Sequence, residues 1–305
     1  MDKNRGERWW WAGAVLTTLL MYKFIKRESL IGVVEQSLMM REAGLLKGML
    51  WGDKSGFGKD FYNQLKNSGL VHLVVVSGSN IMLVFRGMVE WGAKFLGRKK
   101  AIGVGFLISL FYLEVVGWEI PVVRALILVG VMYWAQVLGR KYSLIRGLIL
   151  SLMIIILAWP GSVKEVSFWL SFLAFVGVAT SPSRGALGLS LWVSLWISPV
   201  MGLVFGRINL VGPVSNLLVL LTVEVVTVVG LVGSVVGLAV PILGKAILWS
   251  IWPLLKYFGK VVEMTGSWRW ANIGVDFNWM IGLGWYVILI WGLIKFRKGF
   301  DIKRK

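Results

Sequence analysis

The chain has 305 residues, 57% hydrophobic and 16% charged, with a mean hydropathy of +0.75. Soluble domains carry about 25% charged residues, so this composition excludes a water-soluble globule and points to a protein of the bilayer. The formal net charge of +18 is assigned to membrane topology and lipid headgroups before any nucleic-acid footprint.

A helix needs roughly 20 apolar residues to cross about 30 Å of hydrocarbon. By that measure spans are expected near residues 9–25, 70–91, 101–117, 122–138, 146–159, 166–180, 187–205, 209–240, 242–258 and 280–296. The first has a basic start but no small-residue cleavage site, and is read as an uncleaved anchor. From Glu28 to Trp51, Leu30, Val33, Val34, Leu38, Leu45, Leu46, Met49 and Leu50 alternate with Glu35, Arg41, Glu42 and Lys47. Two readings stand for this amphipathic pattern: a helix lying in the outer interface, or one packed on the spanning bundle. A Gly-rich turn follows over Gly52 to Gly58. The segment 209–240 exceeds a simple crossing and is expected to kink or re-enter near Gly230 and Gly233.

The expected fold class is therefore all-α: a polytopic transmembrane helical bundle of about ten spans, with an interfacial amphipathic helix and a broken central helix. Cations set its orientation, because short cytoplasmic loops retain Lys and Arg. Lys94, Arg98, Lys99 and Lys100, then Arg140, Lys141 and Arg146, then the tail Lys295 to Lys305 hold the greater part of the net charge. All three stretches fall on one side of the expected bundle, which makes both termini cytoplasmic.

Cysteine is absent, which excludes a disulfide framework and a thiolate metal site, and His72 is the single histidine. No HExxH, P-loop or dinucleotide fingerprint occurs. No catalytic residue, metal or cofactor is expected.

Polar residues inside spans are costly in lipid and mark bundle interiors or watery paths. The densest set lies in Gly69 to Glu90, where His72, Ser79, Arg86 and Glu90 fall within about 40° on a continuous helix. The Ser77-Gly78-Ser79-Asn80 run would alternatively break that helix at mid-membrane and expose backbone groups. A plainer reading has Arg86 and Glu90 reaching for the boundary while His72 caps the outer end. Glu114, Glu119 and Arg124 flank the Gly117 to Pro121 turn, as a structural salt bridge or a charged pore mouth. A third set is Asn209, Ser215, Asn216 and Glu224.

Leu45 to Val84, with its LL-x-G element, Gly-rich turn and Gly69-x-x-His72 … Ser77-Gly78-x-Asn80-Ile81 run, resembles the opening of the competence domain of ComEC-type DNA-uptake proteins. Gly117 to Ala125 resembles that family's short loop ending in Arg-Ala, and Leu138-Gly139-Arg140 its LGR turn. Ala158-Trp159-Pro160 followed by Ser167 to Ala174 resembles its D-P … S-F-Q-L-S-F-L-A element, and Val214 to Leu218 its NLL motif. Asn80 stands where many members have a second His, Trp169 replaces a Gln, and the Pro after the NLL element is missing.

The residues give an anchor at 1–27, an amphipathic interfacial segment and turn at 28–68, and a C-terminal span with a basic cytoplasmic tail at 261–305, and the resemblance implies a competence-type channel domain at 69–260. It implies an inner-membrane channel that passes single-stranded DNA into the cytoplasm during natural transformation. His72, Arg86 and Arg124 would meet phosphates. Ser77, Gly78, Ser79, Asn80 and Asn216 would line the path, and Trp118 and Trp169 are candidates for base stacking. Glu90, Glu114 and Glu224 would repel a polyanion, so each is expected to be paired, protonated or turned away.

Typical members also carry OB-like and metallo-β-lactamase-like domains. One histidine cannot build a two-metal hydrolase, so the implied partners, besides the bilayer and the strand, are a separate nuclease and a cytoplasmic DNA-translocating or DNA-binding protein. Two other classes remain open at this point: a small-solute or ion transporter using Glu224 and Arg86, and a non-conducting scaffold for the uptake machinery.

Overall fold

A computed structural model describes residues 26–74, 78–141, 143–183 and 185–302. The span expected at 9–25, and Ser77, lie outside the described residues. In chain order the helices are α1 (Arg27–Ser37), α2 (Met40–Trp51), α3 (Lys59–Asn67), α4 (Val71–Val74), α5 (Gly78–Leu96), α6 (Arg98–Val116), α7 (Ile120–Val137) and α8 (Leu144–Ala158). A 3-10 turn over Pro160–Lys164 leads to α9 (Val166–Thr180) and α10 (Ala186–Phe205). Then come α11 (Gly212–Ala239), α12 (Pro241–Ser250), α13 (Trp252–Gly266) and α14 (Trp279–Ile302).

The protein is an all-α membrane protein. Ile120–Val137, Ala186–Phe205 and Gly212–Ala239 are long and apolar enough to cross a bilayer, and Leu144–Ala158, Val166–Thr180 and Trp279–Lys295 are shorter apolar helices. A small exception to the helical plan is an antiparallel ribbon, β1 (Arg207–Asn209) with β2 (Asn272–Gly274), in the register Ile208 opposite Ile273.

Three segments differ from the sequence expectation. The single helix expected over 28–51 is two, parted where Leu38 and Met39 are extended. The segment 209–240 gives one unbroken 28-residue helix, α11. At about 1.5 Å per residue it is longer than the hydrocarbon is thick. Gly233, expected at a kink, serves packing instead, since a Cβ there would stand 3.0 Å from Ile247 and Leu248 of α12. The span expected at 242–258 is split at Ile251 into α12 and α13. Pro253 has no N–H to continue the α12 ladder but fits the first turn of a new helix.

The chain divides into two compact units. One is drawn from residues 26–62, 71–143 and 219–260. Here α5 packs along α6 and α7, and Phe85, Val89, Ile102, Val129 and Tyr133 form a buried cluster, with the Phe85 and Tyr133 rings 4.8 Å apart. α2 is buried in this unit from Glu42 to Trp51 without a break.

The other unit holds residues 63–70, 144–218 and 261–302 of the described chain. α9 and α10 pack side by side, and α10 also meets α14. Asn209 organises one end of the unit. Its Oδ1 accepts the Gly212 N–H and so caps α11, while Nδ2 donates to Asn67 O at 2.6 Å and to Asn272 Oδ1 at 3.1 Å.

Pro199 lies inside α10. Lacking an N–H, it leaves the Leu195 carbonyl without its helical donor. Trp285 Nε1 of α14 donates to that oxygen at 3.0 Å, and Tyr286 OH donates to the next one, Trp196 O, at 3.0 Å. Trp285→Phe is therefore expected to destabilise the folded protein by about 0.5–1.5 kcal/mol in detergent, the net worth of one hydrogen bond at an exposed acceptor. In a Pro199→Ala background the restored N–H takes over the acceptor. Thermal or denaturant unfolding of the double-mutant cycle should then show most of the Trp285 penalty gone.

Candidate functional site

The motif residues gather around the C-terminal end of α2. A helix leaves its last four carbonyls without intrahelical donors. Here each has one: Gly52 N–H donates to Gly48 O at 2.9 Å, Asn80 Nδ2 to Met49 O at 2.6 Å, Tyr112 OH to Leu50 O at 2.9 Å and Arg27 Nη2 to Trp51 O at 2.7 Å. The sequence supports this locally, because Gly52 sits at φ +70°, the left-handed conformation that ends a helix. Gly48, from the LL-x-G element, lets α2 press on α4: a Cβ there would stand 2.7 Å from Val74 O.

Lys47 of α2 is buried, and its ammonium is 2.5 Å from Glu35 Oε1 and 3.5 Å from Asp53 Oδ2. Asp53 Oδ1 in turn accepts the Ser55 N–H at 2.9 Å. Burial opposes the charged Lys47, but Glu35 and Asp53 outweigh it and hold its pKa above the ordinary lysine value. Burial likewise works against the Asp53 carboxylate, yet the Ser55 hydrogen bonds and Lys47 bring its pKa below the ordinary value.

Of the residues expected to line a path, Asn80 is 2% exposed and committed to the α2 cap. Gly78 opens α5 where that helix meets the start of α7, and a Cβ there would lie 2.8 Å from the Ala125 Cβ and 2.9 Å from Pro121 O. Arg124, one residue before Ala125, is half-buried, with Nε and Nη1 shut off from solvent. Ser79 falls in the first turn of α5, and His72 is exposed on the short α4. Arg86 is exposed on α5, and its Nε donates to Glu90 Oε1 at 2.7 Å, with the two side chains 67% and 62% exposed. Glu224 of α11, also exposed, acts electrostatically on Arg86.

Trp118 is exposed and donates Nε1 to Glu114 Oε2 at 2.9 Å. These residues all belong to the first unit. In the second, Asn216 Nδ2 donates to Ser190 Oγ at 3.3 Å, and the exposed Trp169 donates Nε1 to Val163 O at 2.8 Å. Two of the three acids thus have direct partners in Arg86 and Trp118. Among the described residues no group of His, Asp and Glu is arranged to hold a metal.

Sequence reasoning missed Tyr112 and Arg27. Tyr112 carried a usable signal, since a hydroxyl in the middle of an apolar helix must find an acceptor. Arg27 carried none, because its acceptor is the backbone of another helix.

The arrangement defines a helical membrane protein whose motif residues close one helix end and leave a charged pair on an exposed helix face. Residues 49–299 match the family described as Competence protein, and the chain belongs to that family, as the resemblance had implied. The match extends on both sides of the 69–260 domain expected from the motifs. The chain is 25% identical over 282 residues to an uncharacterized protein, YcaI, of Escherichia coli, covering 83% of this chain and 37% of the relative. It is 27% identical over 215 residues to competence protein ComA of Neisseria gonorrhoeae, covering 64% and 31%. To recombination protein 2 of Haemophilus influenzae it is 24% identical over 155 residues, covering 48% and 20%. The chain therefore spans less than two fifths of the length of these relatives. No solved structure matches it.

Removing a cap donor should be measurable. Asn80→Ala and Tyr112→Phe are each expected to cost about 1–3 kcal/mol, because a buried acceptor loses its partner. Unfolding midpoints in detergent check this. The Lys47 cluster predicts a pH dependence with a definite sign. Asp53, whose pKa is lowered on folding, stabilises above its ordinary 3.8 and ceases to do so as pH falls through the lower folded value. Lys47, whose pKa is raised, stabilises fully below 10.5 and loses this above its folded value. The unfolding midpoint should therefore drop at both extremes, and Asp53→Asn should flatten the acid side.

Proposed function

We propose that this chain is a channel of the bacterial cytoplasmic membrane that admits single-stranded DNA to the cytoplasm during natural transformation. Membership of the competence family supports it, and ComA of Neisseria gonorrhoeae carries the word competence in its name. One structural observation supports the reading further: Arg86 and Glu90 stand exposed on α5, an amphipathic helix, as does Glu224 on α11. Charges facing hydrocarbon cost several kcal/mol, so that face fronts water rather than lipid tails.

Conduction needs binding that is easily reversed. Glu90 supplies this by competing for Arg86, so that a passing phosphate replaces the carboxylate and is replaced by it in turn. Arg124 and His72 provide further cationic contacts. Ser77, Ser79 and Asn216 provide neutral hydrogen bonds, Gly78 a close approach of backbone, and Trp118 and Trp169 flat surfaces for bases. Asn80 holds the α2 end in place behind this face. About ten crossings, both termini in the cytoplasm, complete the proposed topology. Cutting and pulling of the strand fall to other proteins, a nuclease and a cytoplasmic DNA-translocating or DNA-binding partner, and the chain itself is read as non-enzymatic.

The test is uptake of labelled DNA, with transformation frequency, in the Arg86→Ala, Arg124→Ala double variant. At normal membrane levels of the variant, uptake should fall by about tenfold or more, as loss of two phosphate contacts requires. Wild-type uptake in that variant overturns the channel assignment. Loss of transformation only on neutralising the loops at Lys94 to Lys100 and Lys295 to Lys305 would make the chain a scaffold instead.

A further inference from the structure

A cavity of about 190 Å³ lies between the start of α6 and the end of α7, lined by Arg98, Lys99, Ile102, Gln136 and Val137. Its two halves differ in chemistry. The rim is cationic and carries no acid: Arg98 Nη2 donates to Gln136 Oε1 at 2.7 Å, which holds the guanidinium at the mouth beside Lys99. The floor is apolar, because Ile102 belongs to the buried cluster with Phe85, Val89, Val129 and Tyr133, and Val137 packs against it.

The sequence around the cavity is equally two-sided. Phe95 on the preceding helix is 77% exposed, and Trp134 and Leu138, on either side of Gln136 and Val137, are 65% and 56% exposed. Aromatic and apolar side chains bared beside a cationic notch are what the boundary between hydrocarbon and headgroups stabilises. Arg140 extends the positive field by one turn of chain. A soluble anion would be served by the cations alone and has no use for the bared aromatic and aliphatic groups. A molecule with a phosphate joined to hydrocarbon satisfies both.

We propose that this notch holds the phosphate of an anionic membrane phospholipid, with Arg98 and Lys99 on the phosphate oxygens, Gln136 orienting Arg98, and the upper acyl chain against Ile102 and Val137. The site is separate from the Arg86 face and does not depend on what the chain transports. Through Arg98 and Gln136 the bound lipid ties the α5–α6 turn to the end of α7.

The test uses the full-length chain in detergent, incubated with equal amounts of phosphatidylglycerol and phosphatidylcholine, and reads retained lipid by native mass spectrometry. The wild type should retain phosphatidylglycerol preferentially. Each lost cation should lower this about fivefold, so Arg98→Gln, Lys99→Gln together should lower it roughly twentyfold or more. Gln136→Glu, which sets an acid beside Arg98 with almost no change of shape, should lower it as well, and decides the matter if the double variant does not fold. Lys245→Gln, on α12, should have no effect. Undiminished phosphatidylglycerol in Gln136→Glu and in a folded double variant overturns the proposal. Displacement of the lipid by millimolar inorganic phosphate makes the notch a soluble-anion site and overturns it too. Displacement by a short oligothymidylate assigns it to nucleic acid, with the same consequence.

Discussion

The structure of the first unit depends on the end of α2. Four carbonyl oxygens that the helix cannot satisfy are met by Gly52, Asn80, Tyr112 and Arg27, from three other elements and the helix's own turn. Water is scarce inside a membrane protein, so an unmet carbonyl there has no cheap alternative. The demand fixes where α1, α5 and α6 sit around α2. It also accounts for the short Gly-rich turn, because Gly52 must turn left-handed and Gly48 must lie against backbone. What reads as a signature of transport in the sequence is in good part a device for ending one buried helix.

That device frees the exposed face of α5 for another purpose. Asn80 and Arg86 lie on one helix but serve opposite environments: Asn80 is sealed against α2, whereas Arg86 and Glu90 stand open. A packed interior with a capped helix end on one side gives the charged pair on the other a fixed position. In the proposed channel, weak and reversible contact with a polyanion is only useful if the contacting groups stay where they are.

Much of the fold was legible because apolar length and punctuation by Pro and Gly are local signals. α7, α9 and α10 fall within a residue or two of expectation, and Pro121 starts α7 as the first-turn position allows. The four-residue spacing placed Arg86 and Glu90 on one stripe, with Glu90 expected to be paired, protonated or turned away, and the structure pairs the two. The pattern over 28–51 left two readings open, and the burial of α2 from Glu42 to Trp51 fits a helix packed on others, with Lys47 turned inward onto Glu35. The ribbon joining Arg207–Asn209 to Asn272–Gly274 was invisible, because each strand is three residues long and its partner some sixty residues away. Caps supplied by distant side chains are hard to place for the same reason: the Tyr112 hydroxyl signals that it needs an acceptor, but nothing next to Leu50 marks its oxygen as the one.

The proline inside α10 bears on how the protein is made. Leu195 and its eventual donor, Trp285, are 90 residues apart in the chain. At about 5–20 residues per second, a ribosome needs roughly 5–18 s to travel between them. Throughout that interval the Leu195 carbonyl lacks the Trp285 donor. Packing of α14 on α10 then supplies the donor. A chain that stops short of Trp285 leaves the Leu195 carbonyl without this donor, so the proline in α10 makes one helix depend chemically on another made much later.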